Sequence, residues 1–195
     1  IDGDRTVVEL DMVPDDAVFV VFNGNAEDSY TVPQKKENTV LTVQSPWTVK
    51  FQEGRGAPAE RVFDKLQCYT QSEEFGIKYF SGVASYNNTI VVSDISGDAI
   101  IDLGSVKNIA EVYVNGEYCG TAWKEPFRVD VSKALVKGEN RIEVKVANMW
   151  VNRLIGDQQP NCPEKITFTD SRTYREDSAL LPAGLLGPVK VIEIN

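Results

Sequence analysis

Histidine is absent from this chain. That removes the Ser-His-Asp and Cys-His schemes of nucleophilic catalysis from within these residues, and with them any His-ligated zinc. Cysteine is scarce. Cys68, Cys119 and Cys162 are odd in number and widely spaced, so they form neither a disulfide framework nor a zinc knuckle. One bridge is the most they allow; three small half-buried thiols is the simpler expectation, and the redox compartment is not legible from them. No apolar run reaches the ~20 residues of a membrane-crossing helix, so no membrane partner is expected. Positive charge is also in deficit. The 20 Lys and Arg stand against 29 Asp and Glu, a net charge of −9, and no basic cluster stands out. Phosphate backbones need local positive potential, so nucleic acid is excluded as a partner. Internal repeats and low-complexity tracts are lacking too. The first residue is Ile1 rather than methionine and strand-like patterning begins at Thr6, so we expect a piece excised from a longer protein.

What is present is period-2 patterning, clearest over residues 103–150. Asn115-Gly116 lies between two alternating runs, and a two-residue primed turn needs positive φ at both positions, so this is a hairpin. Ala110, Val112 and Val114 share one face before it, and Phe127, Val129 and Val131 another after it. In residues 141–148 the alternation is strict, with Ile142, Val144 and Val146 against Arg141, Glu143 and Lys145. One apolar and one charged face means antiparallel strands with one side on a core and one side in water. Trp47, Val49 and Phe51 alternate likewise, one long strand or two are expected within residues 77–90, and residues 189–194 close the chain as a last strand. Asn87-Asn88 reads as a turn or bulge. Residues 180–188, broken by Pro and Gly, read as neither helix nor regular strand.

The 195 residues suffice for one large β domain with a fragment of another. Residues 6–12 alternate and 17–22 form a continuous apolar run, both read as strands, followed by a polar loop over 27–38 and a strand over 39–44. Ser45-Pro46 marks the boundary. Residues 1–44 are therefore a small β segment, the tail of a preceding domain or a small layer packed on the main one, and residues 45–195 a second domain. Some eight short strands with no long helix define an all-β, two-sheet antiparallel sandwich of jelly-roll type.

Three adjacent carboxylate pairs, Asp15-Asp16, Glu73-Glu74 and Glu176-Asp177, are candidates for glycosidic acid–base work. Neighbouring residues on a strand point to opposite faces and all three pairs sit in polar loops, so they read as surface charge and no catalytic residue is assigned. One polar and aromatic constellation follows the long strand: Asn148, Trp150, Asn152, Arg153 and Asp157. Planar polar side chains match pairs of sugar hydroxyls, and an indole face matches sugar C–H groups. The same residues also suit a brace, with Arg153 and Asp157, four apart, pinning a loop. Trp123, just after the hairpin, is either a stacking platform or a rim residue.

The segments beginning PWTVKFQEGRGAPAE at Pro46, GIKYFSGVASY at Gly76, DLGSVKNIAEVYVNG at Asp102, EPFRVDVSKALVKGEN at Glu125, NMWVNRLIGD at Asn148 and LLPAGLLGPV at Leu180 resemble the galactose-binding-like jelly roll of large bacterial glycoside hydrolases. The similarity is to the sugar-binding domain of family 2 and the C-terminal region of family 106 α-L-rhamnosidase-type enzymes, and covers about three quarters of the chain. It implies a non-catalytic C-terminal sandwich, a carbohydrate-binding or accessory domain of a larger enzyme whose carboxylates lie in an upstream barrel. Its expected partners are a plant or host glycan and that catalytic domain, with a periplasmic, secreted or cell-surface location. No cofactor is expected. A structural Ca²⁺ suits the fold type by analogy, although no D-x-D-x-D run occurs. A free-standing carbohydrate-binding module and a purely architectural spacer remain the alternatives.

Overall fold

The computed structural model describes residues 5–24, 31, 33, 35–44, 46–93, 95–170 and 173–195. Its strands are β1 (Glu37–Thr42), β2 (Trp47–Phe51), β3 (Glu60–Phe63), β4 (Val83–Val92), β5 (Asp98–Asp102), β6 (Ser105–Lys107), β7 (Ile109–Val114), β8 (Glu117–Ala122), β9 (Arg128–Asp130), β10 (Gly138–Ala147), β11 (Gly184–Gly187) and β12 (Lys190–Ile194). Among the described residues two short α-helices, α1 (Phe75–Lys78) and α2 (Val151–Gly156), and a 3-10 turn at Tyr69–Gln71 sit between them. The fold is a two-sheet sandwich. One sheet runs β1-β12-β5-β9, the other β3-β2-β4-β10-β7-β8, and β6 pairs with β11. Every strand ladder is antiparallel.

The alternation read in the sequence sets which face is inside. β10 lies between β4 and β7, with Val144 opposite Tyr86 on one side and Val112 on the other. Val49, Tyr86, Val144 and Val112 thus form one buried row across four strands. From the facing sheet, Ile101, Val129 and Val191 close the core. Asn115 and Gly116 take φ of 54° and 86°, the paired positive values of a primed hairpin turn. The Asn115 side chain also accepts from the Arg141 N–H and donates to the Ala134 carbonyl, so the turn is tied to β10. Gly120 lets the sheets approach: a Cβ there would stand 3.1 Å from Val129 Cγ1.

Several expectations are corrected. Residues 6–12 and 17–22 form no strand and are exposed, because the described residues offer them neither a ladder partner nor a covering layer. The strand expected over 39–44 is β1, and it belongs to the sandwich itself, pairing with β12. Half of the loop expected over 27–38 falls outside the described residues, as do Ser45 at the expected boundary and Ser171; Glu37 and Asn38 begin β1. Asn87 and Asn88 make no turn. They lie in mid-β4, Asn87 paired with both β2 and β10 and Asn88 with β10, and Asn88 Nδ2 donates to the Pro46 carbonyl. Gly184–Gly187, within the punctuated stretch, is a strand because β6 offers it an edge. Cys68, Cys119 and Cys162 are all free. Among the described residues, no helix is long and apolar enough to cross a membrane.

Candidate functional site

Where β10 ends, the chain enters helix α2 rather than the loop expected after Asn148. Apolar periodicity does not show this helix, because its buried face carries Asn152 and Arg153 beside Ile155 and Gly156. Gly156 permits the packing: a Cβ there would lie 2.6 Å from Tyr79 Cβ.

Arg153 and Asp157 form the centre. The guanidinium donates from Nε (2.9 Å) and Nη2 (2.5 Å) to Asp157 Oδ1. Nη2 also reaches the Glu164 carbonyl at 3.4 Å and Cys162 Sγ at 3.5 Å, and the guanidinium sits 5.5 Å from the Phe75 ring centroid. The second Asp157 oxygen accepts from Thr167 N–H (2.7 Å), Thr167 Oγ1 (2.5 Å) and Ile166 N–H (3.2 Å). Burial pushes the Asp157 carboxyl up, but the Thr167 hydroxyl and amide, Arg153 and the Ile166 amide outweigh it and hold the group below its ordinary value.

The two asparagines are spent on backbone. Asn152 mimics a peptide, donating to the Leu181 carbonyl at 2.7 Å and accepting from the Leu181 N–H at 2.8 Å. Asn148 likewise holds the segment just before β4, donating to the Phe80 carbonyl and accepting from the Gly82 N–H, both at 2.9 Å. Ser81, absent from the sequence reading, links them: its hydroxyl accepts from the Arg153 N–H and donates to the Met149 carbonyl. Ser81 and Thr167 carried no legible signal, since one serine before a strand and one threonine in a long loop match no pattern.

Of the six expected residues, the structure gathers Asn148, Trp150, Asn152, Arg153 and Asp157 at one end of the six-stranded sheet. Trp123 leaves β8 at that same end, two strands away from β10. The four polar residues brace α2, the start of β4 and residues 162–167 and 181. The two indoles are open, Trp150 44% and Trp123 63% exposed. The Arg55 guanidinium covers one face of Trp150 at 4.5 Å from the ring centroid, a cation–π contact. Among the described residues no three Cys, Asp or Glu side chains converge, so their side chains do not assemble a carboxylate-rich shell for Ca²⁺.

This fold has known counterparts. Over residues 17–181 the chain matches the family described as "Glycosyl hydrolases family 2, sugar binding domain", and it belongs to that family. It is similar to the rhamnosidase from Novosphingobium sp. PP1Y, with 46% identity and a TM-score of 0.82 over 86% of this chain and 16% of that one. It is 39% identical to a Formosa agariphila protein named "Putative beta-glucuronidase", over 78% of this chain and 16% of that protein. The Ruminococcus gnavus beta-glucuronidase shares the fold at 17% identity, with a TM-score of 0.57 over 84% of this chain and 30% of that one. The chain thus spans about a sixth of the length of its two nearer relatives named here.

Proposed function

We propose that this chain is a non-catalytic accessory domain of a glycoside hydrolase acting on α-L-rhamnosides, and that it meets carbohydrate through its exposed indoles. The carrying observation is the 46% identity to a rhamnosidase across 86% of this chain, within only 16% of that enzyme. The four polar candidates do not favour a sugar site built from them, because their hydrogen bonds already hold backbone. Trp150 and Trp123 keep open apolar faces of the kind that sugar C–H groups cover. The matched domain is the N-terminal one of its family, which departs from the C-terminal placement expected from family 106, while the kind of domain agrees. A periplasmic, secreted or surface location belongs to the same reading.

The 39% identity to a protein named as a beta-glucuronidase favours a second reading, a hydrolase of β-glucuronides. Turnover of 4-nitrophenyl α-L-rhamnopyranoside and of 4-nitrophenyl β-D-glucuronide by the complete protein separates the two. Rhamnoside turnover is expected; turnover of the glucuronide alone establishes the second reading instead. The 195-residue chain is expected to turn over neither. Hydrolysis by this chain, lost on substituting one of its own carboxylates, overturns the accessory role.

A further inference from the structure

Residues 6–22 carry a strand pattern, yet among the described residues they have no strand partner. Val7, Val8, Leu10, Met12 and Val13 are exposed, and so are Val18, Phe19, Val20, Val21 and Phe22, with Phe19 at 95% and Val21 at 74%. Ten large apolar side chains within 17 residues form a patch far beyond the scattered exposures of an ordinary surface. Between the two runs the chain reverses. Asp16 N–H donates to the Val13 carbonyl at 3.2 Å, Val13 N–H donates to Asp16 Oδ2 at 2.9 Å, and Asp15 takes φ 69°. That is the start of a hairpin, yet among the described residues no ladder follows, and the backbone of 6–12 and 17–22 forms no further backbone hydrogen bond with them. The turn itself is docked, because Lys124 at the end of β8 forms a close ion pair with Asp16. The sandwich therefore holds the tip, and the large apolar side chains of both arms stay exposed.

We propose that residues 6–22 are two strands of a second β layer, completed by a sheet from the same polypeptide outside this chain. The pattern defines the partner. Residues 17–22 are apolar at every position, so a strand there needs cover on both faces and a neighbour along its edge, as in the middle of a packed sheet. In the 6–12 run Val8, Leu10 and Met12 share one face and Val7, Glu9 and Asp11 the other, so it takes cover on the apolar face and leaves the mainly charged one to water. A peptide or single helix would cover one side only. The relatives supply the length: this chain makes up 16% of the rhamnosidase and 16% of the Formosa protein, so in each most of the polypeptide lies outside the matched region. The inference shares with the proposed function the premise of a longer hydrolase but does not depend on its substrate.

Amide hydrogen exchange tests it, read at residues 6–22 in the 195-residue chain and in the complete protein. Exchange is expected to be fast in the chain and slowed roughly 100-fold or more in the complete protein, as for an ordered internal strand. Substituting Val18, Phe19 and Val21 by Ser is expected to abolish that protection in the complete protein and to leave the melting of the isolated chain unchanged. Equally fast exchange in both proteins overturns the proposal. Concentration-dependent protection in the isolated chain, with a dimer by sedimentation, assigns the arms to a second copy and overturns it too. A parent gene encoding no further β domain does the same. None of these readouts involves hydrolysis, so failure here and failure of the substrate assignment are told apart.

Discussion

Arg153 and Asp157 share a buried ion pair across one turn of α2, with both side chains 2% exposed and Nη2 2.5 Å from Oδ1. The pair is closed on all sides: Asp157 also holds residues 166 and 167, and Arg153 holds 162 and 164. Removing one partner leaves the other charge buried and unpaired, which costs about 3–5 kcal/mol. Arg153→Met is expected to lose that much in urea denaturation, and Arg153→Met with Asp157→Asn to recover part of it. A loss under 1 kcal/mol for Arg153→Met, at about the level of an exposed pair, contradicts the brace.

The same pair sets an acid limit. The Asp157 carboxyl lies below its ordinary value of 3.8 in the fold. A carboxyl lowered by folding contributes stability that is complete above its unfolded value and lost as pH falls through the folded one. Stability of the wild type is therefore expected to decline from about pH 4 downward more steeply than that of Asp157→Asn. Parallel acid profiles for the two proteins contradict the assignment.

Two buried phenols make the opposite case at alkaline pH. Tyr86 donates to Tyr69 at 2.6 Å and accepts from the Leu185 N–H at 3.0 Å. Burial raises both hydroxyls above their ordinary value of 10.0, with the neighbouring phenol adding to the rise at Tyr69. A group raised in the fold stabilises fully below its unfolded value and loses that contribution as pH climbs above it, so stability is expected to fall from pH 10.0 upward. Tyr86→Phe strands the buried Leu185 N–H and is expected to cost about 1–3 kcal/mol, more than Tyr69→Phe, which keeps that bond. Chemical denaturation of both variants and the onset of tyrosinate absorbance check this.

Val144 has Tyr86 on one side and Val112 on the other, and all three are fully buried. Val144→Asp places a charge in that row and is expected to destabilise by about 3 kcal/mol or more. An unchanged melting temperature would put Val144 on the outer face and break the register.

The sandwich itself was legible because antiparallel strands with one wet face write their burial directly into alternate positions. Val144, Val112, Val49 and the Asn115-Gly116 turn all stand where the pattern puts them. The pattern failed where a partner decides. Asn87 and Asn88 favour turns locally, yet two flanking strands hold them in β4. Residues 17–22 favour a buried strand, yet the described residues supply no sheet to receive it.

At the end of β10 the residue types were legible and their roles were not. Composition alone drew Asn148, Asn152, Arg153 and Asp157 together as groups suited to hydroxyls, and those groups suit peptide N–H and C=O equally well. Their sequence therefore determined a planar, polar, paired chemistry at this end of the sandwich. Only the tertiary structure decided what it is spent on, because it brought the Leu181 and Gly82 backbones and the Thr167 hydroxyl within 3 Å of those side chains. A hydrogen-bonding group meets whichever partner the fold delivers first.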